Sequence, residues 1–365
     1  MQPSIAIART CKPVAQPARH RIEAVDLFCG VGGLSCGLRQ AGVQVVAGID
    51  VDVACQYPYK ANHPFAKFLL QDVVALKAAD LNELWSLGAV RLLAGCAPCQ
   101  PFSSYANTKA AADNGKWGLL YQFGRLVDEA RPDLVTMENV PGLVDEAPFK
   151  AFLQTLRGRG YHVCYGVLNA ADFGAPQQRK RLVLLASLRG EVQLPPPTHP
   201  GAARWVTVRS AVGALPAIAD GQVCAQDPMH RSAALSELNR QRVRASRPGG
   251  TWRDWPAELV AECHRKESGK HSGGVYGRME WDKPAPTMTT LCNGYGNGRF
   301  GHPEQHRGIS LREAAIFQSF PLKYKFVEPG VATSTKALAR LIGNAVPPKL
   351  GEAVGRALLA VARAP

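Results

Sequence analysis

Short apolar runs alternate along the chain with stretches of helical spacing. IEAVDLF (22–28) is a strand-length run that ends in the glycine turn CGVGG. LSCGLRQAG follows, with apolar positions at helical intervals and a glycine stop. VQVVAGID reads as a second buried strand ending on Asp50, and VDVACQYPYKANH as a helix in spite of Pro58. RLLAGC, LVTMENV and RLVLLAS are three more strand-like runs. Strands of this length alternating with helices predict an α/β fold with a mostly parallel sheet and helices on both faces. Ligands of such sheets gather at the carboxyl ends of the strands.

The texture changes at PPPTHPGAARW (195–205): periodicity weakens, and Gly, Pro, Arg and Trp accumulate up to about residue 302. Regular α/β patterning returns with SLREAAIFQSFP, where Ser310 and Glu313 have the spacing of a capping box. PPKLGEAVGRALLAVAR is a last helix that begins with prolines, which a first turn tolerates. The expected organisation is therefore a loose basic tail (1–21), a large α/β part (22–187), a smaller irregular domain (188–302) and a C-terminal part (303–365) that returns to the first.

Composition narrows the classes. The chain has 365 residues, 46% of them hydrophobic, which suits a folded globular protein. No apolar run approaches the roughly 20 residues of a membrane span. The N-terminal segment also lacks the apolar run of a signal peptide, so a cytoplasmic location is expected, with the ten cysteines as thiols. The net charge is +14, and residues 22–189 are almost balanced, so the basic excess lies in the tail, the irregular domain and the C-terminal part. Such an excess suits a polyanionic partner.

Candidate chemistry sits just after the strand-like runs. Gly30, Gly32 and Gly33 form a strand-to-helix turn that lets the backbone approach a ligand, and Asp50 ends the next strand about 20 residues on, where a carboxylate can grip ribose hydroxyls. The pair favours a nucleoside-containing cofactor, either a dinucleotide or S-adenosylmethionine. GCAPCQPFS (95–103) holds Cys96 and Cys99. A metal site needs about four ligands, and neither a second CxxC nor a Cys/His pair at finger-like spacing occurs. A thioredoxin-like redox pair is an alternative, but such sites usually begin a helix without a trailing Gln-Pro-Phe-Ser. A nucleophilic cysteine needs helpers, and Glu138 in ENV (138–140) together with Gln177, Arg179 and Arg181 in QQRKR supplies them.

With these motifs in order, the chain resembles the C5-cytosine DNA methyltransferases of bacterial type. DLFCGVGG resembles the first motif of that family, PCQPFS its nucleophile motif, ENV its acid motif and QQRKR its arginine motif. SLREAAIFQSFP resembles the helix after the target-recognition domain, and GNAVPP the last motif. The resemblance covers residues 25–187 and 303–360. It departs where Cys96 stands at a usual glycine, where Ser319 replaces the glycine before Phe-Pro, and where Ile342 precedes Gly-Asn. It implies a Rossmann-like S-adenosylmethionine-dependent methyltransferase fold with a target-recognition domain, no metal, and double-stranded DNA bound by a monomer. A cognate restriction endonuclease would act separately.

Under this resemblance Cys99 is the nucleophile that adds to cytosine C6, and Glu138 is the acid at N3. Arg181 and Arg179 stabilise charge at O2 and orient Glu138, while Asn139 helps to fix the base. Pro98 and Phe102 shape the loop over the flipped base, and Cys96 is a bystander. The cofactor site takes Phe28, Gly30, Gly32, Asp50, Val51, Asp72, Asn344 and Val346. Asp72, in LLQDVV, is equally a helix cap. In the irregular domain Arg240, Arg242, Arg244 and Arg247 are candidates for DNA contact or for a solvated helix face, and KPAPTMTT and NGYGNGRFGH for loops entering a groove. The alternative is a transfer-RNA cytosine-C5 methyltransferase on the same scaffold, whose Cys-Phe-Thr tripeptide is absent here. A catalytically dead DNA-binding regulator is disfavoured by the presence of Cys99, Glu138 and Arg181. A nicotinamide-dependent oxidoreductase would leave PCQPFS, ENV and QQRKR without a role.

Overall fold

Apolar residues on both faces of a strand force it to the middle of a layered fold, and Ile22–Leu27 (β1) is buried at every position. The computed structural model describes residues 21–98, 118–267 and 274–362. After β1 come the helix Gly33–Ala41 (α1), Gln44–Asp50 (β2), Gln56–Asn62 (α2), Lys67–Leu70 (β3) and Val90–Gly95 (β4). Gly118–Ala130 (α3), Leu134–Asn139 (β5), Ala147–Gly158 (α4), His162–Asn169 (β6) and Lys180–Ser187 (β7) complete the large sheet. Its seven strands run β3-β2-β1-β4-β5-β7-β6. The pairs from β3 to β5 are parallel, and β7 is antiparallel to both β5 and β6. The order reverses beside β1, so the carboxyl ends of β1, β2, β4 and β5 open on one crevice.

The period-two alternation of β1 sends its side chains to two cores. Val25 and Leu27 join Phe123, Leu126, Phe149 and Phe152 on the side of α3 and α4. Ile22 and Ala24 join Leu34, Leu38, Val354 and Leu358 on the other. That second face is covered by α1 and by the chain's last described helix, Pro348–Ala362 (α8). Thus a segment more than 300 residues from α1 in sequence closes the layer against it.

Between these parts the chain is irregular. It contains a two-stranded ribbon, Val223–Cys224 (β8) with Asp227–Arg231 (β9), and the helix Glu237–Ala245 (α5). Leu311–Phe317 (α6) follows, with the expected capping box: Ser310 Oγ accepts from the Glu313 amide at 3.1 Å, and the Ser310 amide donates to Glu313 Oε2 at 2.7 Å. Thr335–Asn344 (α7) leads into α8. Three polar ties brace the start of α6, two of them from the irregular region. Arg312 grips Asp227 at 2.6 and 3.1 Å. His230 Nδ1 meets Ser310 Oγ at 2.8 Å, and Arg307 forms a fully buried fork on Glu313 at 2.7 and 2.8 Å. A third apolar cluster joins Cys29, Val31 and Tyr59 to Met279, Met288, Phe317, Tyr324 and Ile342, so the glycine turn rests on residues from the far end of the chain. Among the described residues no helix is long and apolar enough to cross a membrane.

Candidate active site

The glycine turn after β1 is built from left-handed backbone: φ is 56° at Phe28, 53° at Gly30 and 88° at Gly32. A methyl group on Gly30 would project into open space, whereas on Gly33 it would collide with the Val346 carbonyl. Gly33 is therefore needed so that the last motif can lie against the turn. At the end of β2 the Asp50 carboxylate accepts from the Gly30 amide and the Asp52 amide, both at 2.8 Å. Burial pushes Asp50 upward from the ordinary carboxylate range, and these amide donors oppose that shift. Val51, next to it, is 43% exposed, and Asp72 caps its own turn by accepting from Val74 N at 2.9 Å. Asn344 ends α7 and is exposed, while Val346 is buried behind the turn. Open space beside Gly30, a pinned carboxylate and an exposed apolar face next to it suit an adenosine-like group.

The turn is also braced from beneath. Tyr324 Oη donates to the Val31 carbonyl at 2.6 Å. His63 Nε2 lies 3.0 Å from the same hydroxyl, and Arg39 Nη1 lies 3.1 Å from His63 Nδ1. Arg39 can only donate and the Tyr324 proton is engaged, so His63 is neutral with its proton on Nε2. Burial first, and Arg39 second, pull its pKa down to about 4.

Glu138, the fifth residue of β5, is buried with its carboxylate between two groups. Arg181 Nε, on β7, lies 3.0 Å from Oε1, and Cys96 Sγ, just past β4, lies 2.8 Å from Oε2. Asn139 Nδ2 donates to the Ala97 carbonyl at 3.0 Å, which ties the end of β5 to the segment entering PCQPFS. Glu138, Asn139 and Arg181 are thus brought together. Cys99 and Phe102 lie outside the described residues.

Arg179 is placed differently. Its guanidinium donates to the carbonyls of Met288 at 2.7 Å and of Gly343 at 3.0 Å, so it does not reach Glu138 as expected of it. Burial pulls its pKa down to about 9, with the charge of Arg181 second. The physical reason is the seam it closes. Gln177 Oε1 accepts from Met288 N at 2.9 Å, its amide nitrogen bonds Phe317 O and Gln318 Oε1, and Gln318 Nε2 donates to Ile342 O at 2.6 Å. Gly343 has no room for a methyl group because the Thr289 carbonyl lies against it. KPAPTMTT, expected as a groove-entering loop, instead runs along this seam with Ala285 and Met288 fully buried.

Comparison with known proteins decides what this assembly belongs to. Residues 22–360 match the family model described as C-5 cytosine-specific DNA methylase. The chain belongs to that family. It is 48% identical over 337 residues to the type II methylase M.HgiDII of Herpetosiphon aurantiacus, covering 92% of this chain and 94% of that protein. It is 31% identical to the type II methyltransferase M1.HphI of Haemophilus parahaemolyticus, covering 92% and 86%. A solved structure of a prophage-encoded protein of E. coli shares the fold with a TM-score of 0.71 at 22% identity, covering 93% of this chain and 99% of that one. The chain is accordingly a DNA (cytosine-5-)-methyltransferase with the α/β architecture expected of it, and the family implies S-adenosylmethionine.

As a C5-cytosine methylase the chain shows functional neighbours that sequence reasoning passed over. Cys96 touches the acid, Gln318 locks the last motif, and the His63–Tyr324 pair holds the glycine turn. The spacing of the motifs signals none of these. Only Cys96, at a usual glycine, stood out as a departure.

Proposed function

We propose that the protein methylates C5 of cytosine within one specific double-stranded DNA sequence, through a covalent adduct between Cys99 and C6 of a base turned out of the duplex. The observation that carries this reading is the Glu138 carboxylate fixed at a strand end by Arg181, beside a segment that leads directly to Cys99. Cytosine C5 is a poor nucleophile until something adds to C6, and a thiolate is suited to that addition. As the Cys99 sulfur–C6 bond forms, electrons move toward N3, where Glu138 supplies a proton, and Arg181 offsets charge developing at O2. Asn139 keeps the Cys99 segment in register with the acid. After C5 has gained its methyl group, N3 gives its proton back to Glu138, a base takes the C5 proton and the sulfur–C6 bond breaks, which restores the ring, the acid and Cys99.

S-adenosylmethionine supplies an electrophilic methyl group. Phe28, Gly30, Gly32, Asp50, Val51, Asp72, Asn344 and Val346 would hold it, with Asp50 on the ribose hydroxyls and Val51 against the adenine. Arg179 is assigned to holding the seam rather than to the base. The irregular region 188–302 would read the DNA target. The protein would act as a monomer in the bacterial cytoplasm, as a type II modification enzyme whose partner endonuclease works separately, as the names of its relatives suggest.

The test is to express the chain, and a Cys99→Ala variant, in a host without cytosine methylation and to map 5-methylcytosine at single-base resolution. Methylation at one short sequence, absent with the variant, is expected. Unmodified DNA from cells holding folded, cofactor-binding protein would overturn DNA as substrate and turn the assay to RNA.

A further inference from the structure

Cys96 enters the site through the sheet itself. Strands β4 and β5 run parallel with Gly95 opposite Met137, so the next step of the same register sets Cys96 beside Glu138. The thiol therefore meets the carboxylate because of where two strands end. Its Sγ lies 2.8 Å from Oε2 while Arg181 Nε lies 3.0 Å from Oε1, so each carboxylate oxygen has its own neighbour. The thiol S–H donates and Oε2 accepts. A glycine, the residue usual here in the family the chain resembles, brings no side-chain donor to Oε2.

We propose that Cys96 is a positioning residue of the methyl transfer: its thiol donates to Glu138 Oε2 and fixes the plane of the carboxylate that must meet the pyrimidine ring. The inference rests on the function proposed above. Arg181 meets Oε1 as an ion pair and not through a directed hydrogen bond, which leaves the terminal torsion, broad for Glu, loosely set. The thiol removes that rotation. It is a weak donor, so it fixes direction without holding the carboxylate as strongly as a second guanidinium would.

The test compares Cys96→Ala, Cys96→Gly and Cys96→Ser in the full chain. The readouts are the single-turnover methylation rate on duplex DNA, KM for DNA, and protection from melting by S-adenosylhomocysteine. Removing the donor in the Ala and Gly variants is expected to slow the chemical step about 10- to 100-fold, the scale of a small misplacement, with KM and protection unchanged. The hydroxyl of Cys96→Ser restores most of the rate. In a Glu138→Gln background Cys96→Ala adds little further loss, because the thiol then has no carboxylate to orient. Wild-type rate in Cys96→Ala, a loss in Ser equal to that in Ala, or losses that multiply fully with Glu138→Gln would each overturn the proposal. If the wild-type protein leaves cytosine in DNA unmethylated, the functional reading fails, and this inference with it, before any variant is compared.

Discussion

The sheet edge and the irregular region use arginine in opposite ways. At the edge, backbone groups are mostly satisfied by the strand ladders, and Arg181 meets the Glu138 carboxylate at 3.0 Å besides donating to the Lys180 carbonyl. Among the described residues of the irregular region no long ladder exists, so backbone carbonyls need other donors. Arg278 gives its guanidinium to the carbonyls of Val243, Ser246, His302 and Gln305. Arg242 donates to the Leu259 carbonyl while lying over Trp255 and Tyr276. Arg307, just past that region, donates to the Gly308 carbonyl at 3.0 Å and is buried against Glu313. The five fixed N–H donors of a guanidinium replace secondary structure there. Arg179 lies in sequence beside the catalytic strand yet works in this second way. A basic residue in an irregular segment is thus as readily mortar as ligand, and burial separates the two.

The sharpest way to break this comparison is to cut each kind of pair. Glu138→Gln should lower the methylation rate about 10²- to 10⁴-fold, the usual worth of a positioned acid, while shifting the melting temperature by a few degrees at most. Arg307→Met should do the reverse. It leaves the Glu313 charge buried and unpaired, a loss of about 3–5 kcal/mol in a urea titration, with little change in the rate per folded molecule. If Glu138→Gln mainly unfolds the protein, or Arg307→Met mainly slows it, the division of labour is wrong.

Acid should separate the regions next. His63 under the glycine turn and His302 in the irregular region are both pulled down to about 4, chiefly by burial. A histidine lowered on folding contributes stability that is present above its unfolded value near 6.5 and is lost as pH falls toward 4, about 1.4 kcal/mol for each pH unit over that window. Beside the turn, Asp26 works against this trend. Burial raises it to about 7, although Ser35 Oγ donates to it at 2.7 Å. Its contribution is present below its unfolded value and is lost as pH rises toward 7. The opposite slopes of His63 and Asp26 offset each other in the sheet. His302 instead faces Glu313, whose pKa the Arg307 fork holds down against burial; that carboxylate loses its share only below its ordinary value near 4.5, so between pH 7 and 5.5 the loss there comes from His302. Hydrogen exchange at pH 5.5 against pH 7 should therefore show the irregular region opening first, and His302→Asn should reduce that difference. Equal opening in both regions would remove the contrast.

What was legible follows the same division. The strands, the glycine turn, Asp50 and Glu138 could be read because each is a local pattern: an apolar period, a turn, an acid at a strand end. The capping box of Ser310 and Glu313 was legible for the same reason. The role of Arg179 was not, because it depends on carbonyls more than 100 residues away in sequence, and the support of Val31 by Tyr324 spans 293 residues. Cys96 lay between these cases. Its identity departs from a familiar motif, but its use needed the register of β4 against β5. The seam that KPAPTMTT joins through Ala285 and Met288 was not legible, because it needs the contacts with Gln177 and Gly343, far away in sequence.

The smallest expected effect is also the one that tests the rule most directly. Of the four arginines around α5, Arg242 is buried, Arg240 is paired with Asp220 at 2.8 Å, Arg247 meets Asp254 at 3.2 Å, and Arg244 faces solvent. If exposure separates ligand from mortar, Arg244→Ala should leave stability unchanged, weaken duplex binding modestly, and lower the slope of log affinity against log salt by about one. Arg242→Ala should instead destabilise the region through lost packing on Trp255 and Tyr276, with the salt slope of the folded protein unchanged. An unchanged slope for Arg244→Ala would argue against a phosphate contact there. A changed slope for Arg242→Ala would mean that a buried guanidinium leaves its aromatic bed to meet DNA, so that burial in the free protein no longer marks mortar.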